Sequence, residues 1–177
     1  CEKINVYNEN LNFRLEDSQT SIQINARSMP VNSSQKKLAY SSSAPDIISI
    51  DSSGLMTSHG IPGESIITIS CGGVNSELNV SVIRSVTGIS LSSTDLTFFA
   101  DRPLPARLNA EITPNDATNK NIKWESSDTD IAEVSEDGVI TPCGVGTATI
   151  TATSEDGGFK AAGIARVQIF DVPTRAA

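Results

Sequence analysis

Three cysteines, a single histidine and a crowd of carboxylates are the side chains with chemistry to offer in this 177-residue chain. A catalyst needs a base, a nucleophile or a metal cluster in workable relation. His59 stands beside Gly60 in a stretch that reads as an exposed turn. None of the many serines sits in the Gly-x-Ser-x-Gly elbow that holds a nucleophile in reach. Asp128 and Asp130 have the spacing to imitate a glycosidase carboxylate pair. Acids at that density are nevertheless ordinary on the strands and turns of an acidic domain. Gly72-Gly73 and Gly157-Gly158 belong to no phosphate-cradling loop, and fall where hairpins need positive φ. The residues point away from an enzyme and away from a bound cofactor.

The carboxylates crowd between Glu125 and Asp137, with Asp128, Asp130, Glu133 and Glu136 among them. Calcium would want Asp-x-Asp-x-Asp-Gly spacing around one ion, which this run lacks. The simpler reading is a solvated face that keeps the protein soluble, with no metal. The formal charge of −8 is uneven. Residues 1–84 carry six Lys or Arg against eight Asp or Glu, giving −2; residues 85–177 carry seven against thirteen, giving −6. Such a surface repels phosphate, so nucleic acid is not an expected partner.

Cys1 opens the chain, and a mature bacterial lipoprotein begins at a cysteine whose sulfur receives lipid. Cys1 is therefore the candidate lipid anchor, and the polar Glu2-Lys3 suits a tether leaving a membrane surface. No apolar run approaches the ~20 residues that span a bilayer, so membrane association is expected only through that lipid. The chain lacks a charged start followed by an apolar segment, so a secretion signal is expected to have been removed. Cys71 and Cys143 occupy unlike places, one ending a strand and one in the Pro142-Cys143-Gly144 turn. A bridge repeated within both halves is thereby excluded; a Cys1–Cys71 pair stays open.

The elements that carry these residues occur twice. Leu38–Thr57 returns about 84 positions later as Ile122–Thr141, which is one folding unit duplicated. In the second copy, 89–91, 96–98 and 108–112 alternate apolar and polar residues, as strands with one buried face do. Ile122-Lys-Trp124 starts a strand whose Trp124 is expected to point inward, and Asp137-Gly138 suits a tight hairpin. Gly144-Val-Gly146 turns into the β-branched run 147–153, and Asp156-Gly157-Gly158 leads into a closing strand through Ile169. The first copy follows at 4–6, 11–15, 22–26, 38–40, 47–50, 55–57, 65–70 and 78–83, with Tyr40 in the place of Trp124. Seven or so short strands in each copy, without helical periodicity, predict an all-β chain of two β-sandwiches. The expected domains are 1–84 and 85–169, with 170–177 as a tail or connector. The join Arg84-Ser-Val-Thr-Gly88 spans at most ~18 Å, which predicts an elongated arrangement.

Several segments in order, Trp124-x-Ser126-Ser127, Asp130-Ile-Ala-x-Val134, Gly138-x-Ile-Thr141 and Gly146–Ala152, resemble the bacterial immunoglobulin-like group 2 domain. The resemblance covers nearly all of residues 86–169; residues 2–83 fit the same frame more weakly, with Gly60-Ile-Pro-Gly63 lengthening one turn. It implies two tandem immunoglobulin-like domains with structural rings at Tyr40 and Trp124, and it transfers no catalytic residue. Domains of this kind occur in adhesins, surface-layer proteins, phage tails and as spacers in secreted polysaccharide enzymes. A pair behind such a cysteine is most similar to a surface lipoprotein, which implies an extracellular, outer-membrane-anchored location. Two non-catalytic roles then compete. In one the chain is an adhesion or recognition module that binds a host protein or glycan through loops or a strand edge. In the other it is a passive stalk for another domain. Phe99, Phe159 and Tyr7 are the aromatics on which a sugar face could stack.

Overall fold

A computed structural model describes residues 1–8, 11–29 and 37–170. Among them are eighteen strands and no helix, so the all-β expectation holds. The chain divides into two compact units, Cys1–Ser85 and Val86–Ala177. Residues 171–177 of the expected tail lie outside the described residues.

In the first unit the strands are β1 Lys3–Val6, β2 Phe13–Arg14, β3 Ser21–Gln23, β4 Ala26–Met29, β5 Ala39–Ser42, β6 Ile48–Ile50, β7 Leu55–Ser58, β8 Gly63–Cys71 and β9 Val74–Ile83. They form a four-stranded sheet β2-β9-β8-β5, a three-stranded sheet β3-β7-β6 and a ribbon β1-β4. Alternation along β8 and β9 turns Ile67, Ile69, Val80 and Val82 inward. There they meet Phe13, Ile24, Ile48 and Met56 in one core, which makes the unit a sandwich. Gly72 and Gly73 close the β8–β9 hairpin with φ of 55° and 88°, the signs a two-residue turn of matching twist requires.

The second unit repeats the plan with β10 Gly88–Leu91, β11 Asp95–Phe99, β12 Ala106–Arg107, β13 Ala110–Thr113, β14 Ile122–Ser126, β15 Ala132–Val134, β16 Val139–Pro142, β17 Gly146–Ser154 and β18 Lys160–Gln168. Its sheets are β11-β18-β17-β14, β12-β16-β15 and the ribbon β10-β13. Phe98, Leu108, Ile140, Ile150, Ala165 and Val167 fill its core. In both units a short early strand runs parallel to the last one. Phe13 faces Val82 in the first, and Phe98 faces Val167 in the second.

The structure corrects two sequence expectations. Each unit has nine strands, not seven or so. The 22–26 run splits between β3 and β4, which pair in different sheets, and the second unit has the two-residue β12 ahead of the 108–112 run, which itself holds only β13. The crossing is pinned the same way twice. The N–H of Ile24 donates to Gly54 O at 2.9 Å, and that of Leu108 to Gly138 O at 2.8 Å. The next amides, of Asn25 and Asn109, are taken by side-chain oxygens of Asn8 and Ser92. A side-chain acceptor at this corner satisfies an N–H that neither sheet can serve.

Phe170, placed in the tail by the sequence, packs edge-on against Phe99 at 5.1 Å between ring centroids, and its N–H donates to Asp101. At the end of the first unit, Ser85 N–H donates to Glu16 at 2.6 Å and the Arg14 guanidinium donates to the Ser85 hydroxyl. That backbone N–H, ahead of the Ser85 hydroxyl and Arg14, holds the Glu16 carboxyl below its ordinary value of 4.5. A carboxylate depressed in the folded state contributes stability above its unfolded value and loses it as pH falls through the lower folded one. Glu16→Gln is accordingly expected to flatten the fall in melting temperature of the first unit between about pH 5 and pH 3. Because Glu16 is exposed, the change is small; thermal melts by circular dichroism across that range measure it.

Candidate functional site

The most repeated local device is a ring laid over a turn glycine. Gly54 and Gly138 end the turns before β7 and β16 with φ of 84° and 75°. The ring of Tyr40 covers the first and that of Trp124 the second, so closely that a Cβ on either glycine would lie within 3 Å of ring carbon. Both rings are half-buried and pack against their own cores. Partial burial raises the Tyr40 hydroxyl above its usual value by desolvation. The turns are held from below by different acceptors. Asp51 takes the Ser53 hydroxyl and the N–H groups of Ser53 and Leu55, which keep its carboxyl low; Ser135 takes the Val139 N–H.

Beside each ring lies an open cleft at the strand crossing. In the first unit it measures about 560 Å³ and is lined by Tyr7, Asn25, Arg27, Tyr40 and Ser53 over Ile24 and Ala26. In the second it measures about 350 Å³, and Asn109, Trp124, Glu136, Asp137, Arg107 and Lys120 are among its walls. Position for position, Asn25 corresponds to Asn109, Tyr40 to Trp124 and Ser53 to Asp137. The first cleft is therefore lined by two rings and the cation Arg27 without a carboxylate, and the second by one ring with charges of both signs.

The other residues weighed from sequence go elsewhere. His59 is exposed, with Nε2 2.9 Å from the Ser49 hydroxyl. No carboxylate orients that ring among the described contacts, and its backbone N–H simply closes the turn onto Ile47 O. Cys143 does the same onto Ile131 O in the second unit, so the fold asks nothing of the imidazole. Asp128 and Asp130 do not face a common point: the Asp128 carboxylate accepts the Asp130 N–H at 3.0 Å and shapes the turn. Among the described residues no three His, Cys, Asp or Glu side chains gather to hold a metal ion. Cys1 is half-buried against the core that contains Cys71, without a disulfide between them, and its thiol lies 3.6 Å from Lys3 O. Of the three aromatics, Tyr7 is 58% exposed and Phe159 38%, while Phe99 is half-buried under Phe170.

Two packed sheets, a core shared between them and early strands that pair parallel with the last define an immunoglobulin-like β-sandwich. Residues 85–165, nearly the whole second unit, match the bacterial Ig-like domain (group 2) family. Across 85 residues the chain is 40% identical to an alpha-L-arabinofuranosidase of Bifidobacterium longum subsp. longum, which covers 48% of this chain and 8% of that protein. A 3-O-alpha-D-galactosyl-alpha-L-arabinofuranosidase of the same subspecies is 38% identical over 78 residues, 42% of this chain and 7% of that one. The chain thus spans less than a tenth of the length of these curated relatives. The adhesin InvE of Yersinia pseudotuberculosis shares the fold, with a TM-score of 0.52 and 14% identity over 96% of this chain and 60% of its own.

Proposed function

We propose that this chain is a non-catalytic module, displayed outside the cell, that recognises an extracellular glycan or protein, and that its first unit is a divergent copy of the domain matched in the second. The observation that carries the reading is the repeated cleft: an apolar floor, a half-buried ring and convergent exposed polar side chains. That is the composition of a binding surface. Among the described residues, the side chains weighed for turnover serve local structure: the Asp128 carboxylate shapes a turn and the His59 ring contacts the Ser49 hydroxyl. The arabinofuranosidase relatives support a glycan over a protein, because a segment under a tenth of such an enzyme is well placed to hold its substrate.

A second reading, a passive spacer, draws on the same fraction: a short module in a long enzyme can also serve to separate other parts. A glycan and extracellular-matrix array probed with the purified chain decides between them. Recognition predicts retention on a restricted set of ligands that survives competition with unrelated protein. Silence across the array would replace it with the spacer.

A further inference from the structure

The two units share a strand plan, so each is a control for the other: what building the fold requires appears in both, and what only one carries is not needed to build it. The exposed face of the ribbon beside the first cleft separates the two. Ile4 is buried and Val6 and Ala26 pack on the core, so Lys3, Asn5 and Tyr7 face outward. Across the ribbon Met29 pairs with Lys3 and Arg27 with Asn5, while Tyr7 N–H donates to Asn25 O. Residues directly opposite share a face, with Cβ atoms roughly 5 Å apart. The result is one strip with two cations, two amides, a tyrosine ring 58% exposed and no carboxylate, on a protein whose net charge is −8. Asn5 Nδ2 lies 3.5 Å from the Tyr7 hydroxyl.

At the same six positions the second unit holds Gly88, Ser90, Ser92, Asn109, Glu111 and Thr113. Its ribbon pairs in the same register with no ring and no cation, so neither Tyr7 nor Arg27 is needed to build it. An exposed ring beside an arginine, two amides and a lysine matches a ligand with an apolar ring face, hydroxyl groups and a negative charge. We infer that the strip Lys3, Asn5, Tyr7, Asn25 and Arg27, with the Tyr40 cleft behind it, binds an acidic glycan, one whose sugar residues carry carboxylates. The ring face of one residue lies on Tyr7, its hydroxyls meet the two asparagine amides, and its carboxylate meets Arg27. Exposed ion pairs contribute little each, whereas an aromatic contact removes apolar area from water on both sides. Tyr7 therefore carries most of the affinity, and Arg27 with Lys3 sets the preference for charge.

This inference rests on the recognition reading above, and its test keeps the two apart. The purified chain is titrated calorimetrically with polygalacturonate and with a neutral galactan. The variants are Tyr7→Ser and Arg27→Glu, the residues the second unit already tolerates, and Ser90→Ala serves as control; unchanged melting temperatures confirm folding. Binding to the acidic polymer alone is expected, weakening as salt rises. Tyr7→Ser should lower its affinity at least about tenfold and Arg27→Glu should abolish the preference for the charged polymer, with Ser90→Ala unchanged. Equal binding of both polymers, or affinities untouched by Tyr7→Ser and Arg27→Glu, overturns the site while leaving recognition standing. So does binding to neither polymer when the array finds another ligand. Silence in both experiments removes the inference together with the reading beneath it.

Discussion

Gly138→Ala unfolds the second unit far below the parent melting temperature. At φ 75° a side chain is strained whatever space surrounds it. Here there is no space: the new Cβ would lie 2.5 Å from Leu108 O and 2.8 Å from a Trp124 ring carbon. Leu108 O is backbone at the strand crossing and cannot swing aside, and Leu108 N–H is bonded to the carbonyl of Gly138 itself. Relief requires β12 to part from β16 or the indole to leave its seat. Strain and overpacking together cost about 3 kcal/mol or more, which for a unit of this size lowers the midpoint by roughly 15 °C. Trp124 is the chain's single tryptophan, so its fluorescence follows the second unit alone. Gly158→Ala provides the comparison, with φ 64° and no heavy atom within 4 Å. It should cost only the backbone strain, about 1 kcal/mol. If the two variants melt together, the close approach at Gly138 has no energetic weight.

Trp124→Ala is the second large effect. The indole is only half-buried, so the loss lies below that of a fully enclosed ring, at about 2–4 kcal/mol. Two contributions add: contacts with the Leu108 and Ile140 core disappear, and the Gly138 turn is uncovered to water. Trp124→Tyr should retain most of the stability, because Tyr40 already occupies the equivalent seat over Gly54. Calorimetry resolves the outcome, with the second unit's transition falling by roughly 10–20 °C in the alanine variant and by only a few degrees in the tyrosine variant. A shift of a degree or less for Trp124→Ala would show that the ring contributes nothing to this unit.

Residue alternation and turn chemistry made much of this fold legible. The Asp137-Gly138 hairpin, the Gly72-Gly73 turn and the long strands of the four-stranded sheets follow directly from period-two patterning and the need for positive φ. The splits after Gln23 and Arg107 did not. Alternation states which face a side chain takes and continues unbroken when a strand changes its hydrogen-bonding partner, so Ile22–Ala26 reads as one strand while its halves belong to two sheets, and β12, at two residues, is too short to alternate. The same limit hid most of the candidate site. Tyr7 was legible, together with Phe99 and Phe159, as an aromatic able to stack, but its neighbours Asn25 and Arg27 lie some twenty residues away and reach it only through the β1–β4 register. Charge totals were equally blind: a first half at −2 gives no hint that Lys3 and Arg27 share a strip free of carboxylates.

The parallel pairing of β2 with β9, and of β11 with β18, has a mechanical consequence. Tension applied to a unit by its two ends pulls the early strand and the last strand in opposite directions along their common axis. The hydrogen bonds between Asp95–Phe99 and Ile164–Gln168 are then loaded in shear and must rupture together, unlike a hairpin that unzips one bond at a time. The second unit has five residue pairs in this clamp and the first has two, Phe13 with Val82 and Arg14 with Ile83. Under a stretching load, the first unit is therefore the one that yields.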